Sequence, residues 1–79
     1  MKNIIGFNKN DETIEFVYFA CDSIEDYENG NHDVINRWNL SIDNDLVQSY
    51  DLDNEEDLKE LASKYDADLS SKDIEIVYL

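Results

Sequence analysis

Thirteen carboxylates between Asp22 and Glu60 face only Arg37 and Lys59, so any fold of this chain must keep a dense run of like charge in water while still enclosing a core. The ends contribute little to the net −14: Lys2 and Lys9 nearly balance Asp11, Glu12 and Glu15, and Lys64 and Lys72 offset half of Asp66, Asp68, Asp73 and Glu75. Like charges at this density oppose a compact state through self-repulsion. A neutral scaffold has no need of them, and the surface they imply is complementary to something strongly basic.

A chain of 79 residues is expected to form one domain, residues 1–79, with a core that is marginal without covalent staples. Cys21 is the only cysteine, so a disulfide framework is excluded, in keeping with a reducing cytoplasm. The run Met1–Phe7 is too short for a signal peptide, and no stretch reaches the roughly 18 apolar residues of a membrane span. A soluble, cytoplasmic protein is expected. Disorder, the other outcome of high charge, conflicts with a 42% apolar content, Trp38, five tyrosines, three phenylalanines and no proline.

Lys2–Phe7 and Thr13–Ala20 predict a hairpin joined by the polar cluster Asn8–Asp11. The second strand is apolar on both faces, with Phe16 and Tyr18 opposite Val17 and Phe19, and is expected in the interior of the sheet. Ser23–Tyr27 is compatible with a short helix capped by Asp22 or Ser23 and broken at Asn29-Gly30-Asn31. Val34, Ile35 and Trp38 fit a helical face, while Trp38, Leu40 and Ile42 alternate as a strand does. The strand over about 34–42 is favoured, turning at Asp43-Asn44-Asp45 into a partner strand Leu46–Leu52.

From Asn54 to about Asp66, Leu58, Leu61, Ala62 and Tyr65 form one helical stripe. Asp53 reads as the N-cap with Glu56 completing a capping box, and Glu55–Lys59 and Glu60–Lys64 are spaced as ion pairs. Asp73–Leu79 closes the chain as a strand. The expected class is α+β: a small antiparallel sheet of about five strands covered by one main helix, with a second short helix compatible with residues 23–27.

Catalytic apparatus is thin, and no enzyme is expected. His32, the only histidine, reads as a solvated loop residue beside Asp33. Cys21 alternates with Phe19 and Val17 as a small core residue, and its negative surroundings work against a thiolate nucleophile. An EF-hand loop requires alternating oxygen ligands, a central glycine and a closing glutamate. Started at Asp51, it meets Glu56 in place of the glycine and Ala62 in place of the glutamate; started at Asp43, it meets Val47 at a ligand position. Zinc would need more than one cysteine and one histidine in reach. No metal or cofactor is expected. Direct binding to nucleic acid is disfavoured, because phosphates require clustered lysine and arginine.

The spacing of the carboxylates suggests a use. Asp51 and Asp53, read as a strand, lie about 6.6 Å apart on one face, with Asp43 and Asp45 similarly disposed near a turn. Glu56 and Glu60 are about 6 Å apart along a helix axis. These intervals are comparable to those between neighbouring phosphates of a wound backbone. The run Asp51-Leu52-Asp53-Asn54-Glu55-Glu56-Asp57, with Asp43-Asn44-Asp45 and with Asp22, Glu25, Asp26 and Glu28, resembles the small acidic inhibitors of phages and mobile elements, the anti-CRISPR and anti-restriction DNA mimics.

That resemblance implies a non-catalytic protein of a host bacterial cytoplasm that binds a Cas effector or restriction nuclease where nucleic acid docks. The expected contact set is Asp43, Asp45, Asp51, Asp53, Glu55, Glu56, Asp57 and Glu60, followed by Asp22, Glu25, Asp26 and Glu28. Two other readings share the electrostatics: an immunity protein neutralising a nuclease toxin, and an acidic adaptor that leaves nucleic acid bound. No membrane partner is expected. Because one helix covers one face of a sheet, either residues 22–27 cap the other face or apolar surface remains there for a partner or a homodimer. Trp38 and Tyr50, set among polar residues, are candidate aromatic anchors.

Overall fold

β1 (Lys2–Lys9) and β2 (Thr13–Cys21) pair antiparallel as the two apolar runs predict. Asn10 builds their turn: its Oδ1 accepts from the amides of Glu12 and Thr13 at 2.9 and 2.7 Å. β3 (Asp33–Ser41) pairs antiparallel with the other side of β2, which puts β2 in the interior of the sheet, and β2 is apolar on both faces because a core lies on each. The computed structural model describes residues 2–79; Met1, the start of the first apolar run, lies outside them.

The molecule is α+β, and its sheet has four strands in the order β3-β2-β1-β4. β4 (Ile74–Tyr78) joins β1 in parallel, so the sheet is mixed rather than antiparallel. β3 and β4 therefore run in the same direction at opposite edges, and the chain between them has to cross a whole face. Parallel strands require such a crossover, and residues 42–73 supply it.

That crossover contains the main departure from the sequence reading. Leu46–Leu52 is not a strand but a short helix, α2 (Asp45–Gln48), followed by a loop. The Asn44 side chain accepts from the amides of Leu46 and Val47 at 2.9 and 3.4 Å, which starts a helical turn. Val47 is then buried, with Leu46 and Tyr50 packed around it on the core. A strand is expected here only as the partner after the turn at Asp43-Asn44-Asp45, but Val47 belongs inside with its neighbours, and a helical turn puts 46, 47 and 50 together.

α3 (Glu55–Tyr65) buries Leu58, Leu61 and Ala62, the expected stripe. With Val47, and with Leu69 from a 3-10 helix (Ala67–Ser71), they cover Ile5, Phe7, Ile14, Phe16, Tyr18, Ile74 and Ile76 on one sheet face. Trp38 and Tyr50 are partly buried at the border of this core.

The opposite face presents Ile4, Val17, Phe19 and Cys21. A third helix, α1 (Ile24–Glu28), lies over it with Ile24 and Tyr27, its first turn capped by Ser23 Oγ on the Asp26 amide. The expected short helix thus exists and caps this face. A Cβ at Gly6 would come within 3.0 Å of both Phe19 and Leu79, so a bare backbone there lets these side chains close over the strand. His32 departs from expectation. It is not a solvated loop side chain but is packed 4.6 Å from Phe19 and 4.8 Å from Tyr27, centroid to centroid, with Nδ1 buried and unbonded. The aromatic cover of α1 needed a third ring, and position 32 supplies it.

Candidate functional site

No charged residue is buried among the described residues, so the carboxylates stand at the surface and the question is how they are grouped. The sheet divides them. Asp43, Asp45, Asp51, Asp53, Glu55, Glu56, Asp57 and Glu60 lie on or beside α2 and α3, the layer over the larger core. Asp22, Glu25, Asp26 and Glu28 lie in or beside α1, on the opposite sheet face. What reads as one acidic run along the chain is two clusters with the sheet between them.

The first cluster is held by its own hydrogen bonds. Asp57, in the first turn of α3, accepts the Asp51 amide through Oδ2 at 2.8 Å. Asp51 Oδ1 accepts from the Asp53 amide at 3.0 Å, and the Asp51 carbonyl accepts from the Asn54 amide at 3.1 Å. These bonds fold residues 51–54 into a tight turn, so Asp51 and Asp53 are not alternate positions of a strand and the 6.6 Å spacing does not apply to them. The α3 cap is Asn54, whose Oδ1 accepts from the amides of Glu56 and Asp57 at 2.9 and 3.2 Å. Asp53, the cap expected from sequence, is drawn into the preceding turn instead. No capping box forms, because Asp57 at the box position reaches back to Asp51.

The cations are gathered elsewhere. Lys2, Lys59 and Lys72, half of the cations in the chain, line one groove of about 560 Å³ with Glu55, Asp73 and Glu75. Lys2 lies 3.6 Å from Glu75, and Lys59 lies 3.6 Å from Glu56, one residue away from the expected Glu55 pairing. Lys72 donates to the Tyr18 hydroxyl at 3.2 Å, and that hydroxyl donates to Asn3 Oδ1 at 2.6 Å. The hydrogen bond to Tyr18 first, with the negative charge of Asp68 and Asp66 behind it, raises the Lys72 pKa above its ordinary value. A neighbouring groove brings Glu56, Asp57 and Glu60 beside Lys59 and Lys72.

The eight carboxylates of the set are therefore not equivalent. Glu55, Glu56, Asp57 and Glu60 share grooves with lysines, whereas Asp43, Asp45, Asp51 and Asp53 line neither groove. These four are exposed, around α2 and the turn before α3. In sequence, Glu55–Glu60 looks at least as acidic as Asp43–Asp53. Only the crossover, which lays α3 beside the starts of β1 and β4, reveals which half has lysines beside it.

The second cluster is smaller. Its helix holds Tyr27, whose hydroxyl is raised above its ordinary value of 10.0 by burial first and by the nearby Cys21 second. Cys21 itself is buried with a free thiol, as its alternation with Phe19 predicts. Among the described residues no helix is long and apolar enough to cross a membrane, and no three His, Cys, Asp or Glu side chains converge to hold a metal ion. No family model matches the chain, and neither does any curated protein or solved structure.

Proposed function

We propose that this protein is a non-catalytic inhibitor that occupies the nucleic-acid groove of a basic bacterial defence protein, with a Cas effector as the leading target and the bacterial cytoplasm as the setting. The observation that carries the reading is the group Asp43, Asp45, Asp51 and Asp53: exposed, and apart from the lysine grooves. Its turn is already fixed by the Asp51–Asp57 and Asp53–Asp51 hydrogen bonds, so little ordering entropy is lost when a partner docks.

The dimensions support it. The molecule measures 34 × 26 × 19 Å, and one turn of duplex is about 34 Å long. A body of this size fits a groove shaped for one turn. Its net −14 attracts such a groove over the range of a Debye length, as a duplex does. The α1 cluster, on the far side of the sheet, adds to that long-range field while the α2–α3 layer makes the contact.

The test is retention of a partner from a bacterial lysate, with and without nuclease treatment, by the wild type and by the triple variant Asp43→Lys, Asp45→Lys, Asp53→Lys. The three positions carry no side-chain hydrogen bond within the described fold, so the variant should stay folded and lose the partner at physiological salt. Undiminished binding by the variant would put the site elsewhere.

A further inference from the structure

β3 and β4 are the two edges of the sheet, and they are protected very differently. An unpaired edge is a template for pairing with another chain, and proteins blunt it with short strands and charge. β4 follows that rule: five residues, with Glu75 inside it and Asp73 just before. β3 has nine residues and no carboxylate from Val34 to Ile42, in a chain where 20 of 79 residues are acidic; its one inner charge, Arg37, lies 3.7 Å from Glu15 on β2. Val34 and Ile35 stand 51% and 52% exposed on it, and Ile35 sits at a register shift with no residue opposite.

The direction of the amides shows which part of this edge is open. Ile42 donates to the Glu12 carbonyl on the β2 side at 2.9 Å. Amides alternate in direction along an antiparallel strand, so those of Arg37, Asn39 and Ser41 point away from β2. The Arg37 amide is held by Asn36 Oδ1 at 2.8 Å. The amides of Asn39 and Ser41 have no such side-chain acceptor among the described residues and face outward.

We propose that the β3 edge is a strand-addition site for an extended segment of the partner protein, uncharged and β-branched at its centre and bearing lysine or arginine at both ends. Main-chain hydrogen bonds to an exposed edge give such docking its affinity. The charge follows from the ends of β3, where Asp33 stands at one and Asp43 and Asp45 stand just past the other. A second copy is a poor occupant: two-fold antiparallel pairing of β3 with itself brings Asp33 of each chain beside Asp43 and Asp45 of the other. The inference deepens the reading of a basic partner and rests on it for the identity of the segment's owner.

Backbone hydrogen exchange, read by NMR, tests it with a synthetic peptide of alternating threonine and valine ended by paired lysines, against the same peptide ended by glutamates. The lysine peptide should slow the Asn39 and Ser41 amides by about tenfold or more, and the glutamate peptide should leave them unchanged. The substitution Asn39→Pro removes an outward donor without touching the β2 ladder, which an edge strand tolerates, so it should keep the fold and abolish the protection. If that variant fails to fold, the wild-type comparison still decides. Unchanged exchange, equal protection by both peptides, or protection that grows with protein concentration alone and marks a second copy would each overturn the proposal. A defence protein displaced from its duplex with Asn39 and Ser41 still exchanging freely would do so too, while leaving the proposed function standing.

Discussion

Asn54 and Asp53 are both good helix caps, and the choice between them shows what a single residue contributes here. Asn54 takes the cap because Asp53 is committed to the turn closed by Asp51. Asn54→Ala should cost about 1 kcal/mol and lower the melting temperature by roughly 4–8 °C for a domain of this size, measured by thermal unfolding. Tyr27 gives a pH-dependent prediction. Its folded-state pKa is raised, so the fold binds that proton more tightly than the unfolded chain does. The resulting stabilisation is complete below the unfolded value of about 10 and is lost as pH rises through the folded value. Denaturant unfolding at stepped alkaline pH should show wild type losing its margin over Tyr27→Phe across that window. A constant difference would mean that burial of the hydroxyl contributes nothing. His32 was illegible at this scale because its half-buried ring packs against Phe19 and Tyr27, which only the closed second face brings to it.

At the scale of elements, legibility followed the strength of local pattern. The β1–β2 hairpin and α3 were readable because apolar period and punctuation agree in each. β3 reads as a strand against a competing helical pattern, and its edge position was hidden because its expected partner Leu46–Leu52 is not a strand. Leu46–Leu52 was not, since a four-residue helix offers too few residues for a period to declare itself, and Asn44 decides the matter by capping. The parallel pairing of β4 with β1 was also unreadable, because it depends on the route of the crossover rather than on either strand. α3 holds that route in place. Leu61 on it is fully buried against the main core, and Leu61→Ala should destabilise by about 2–5 kcal/mol. Denaturant titration checks the figure, and a loss below about 1 kcal/mol would mean that the helix packs more loosely than the structure has it.

For the whole molecule, charge matters more than any one contact. Composition alone made an acidic surface legible, and all twelve carboxylates of the expected set are exposed or partly exposed. Two things were hidden: the sheet separates Asp22–Glu28 from Asp43–Glu60, and Lys2, Lys59 and Lys72 converge on the α3 side, leaving Asp43, Asp45, Asp51 and Asp53 outside the lysine grooves. With a net −14, self-repulsion should make the fold more stable as salt rises from low to physiological strength. A melting temperature indifferent to ionic strength would deny a dense acidic face. The most direct measurement of the central claim is a competition titration, in which the captured partner holds a labelled duplex and the acidic protein is added at several salt concentrations. Stoichiometric release of the duplex is expected, weakening as salt rises, with no release by the Asp43→Lys, Asp45→Lys, Asp53→Lys variant. A stable ternary complex, with the duplex still bound beside the acidic protein, would contradict it.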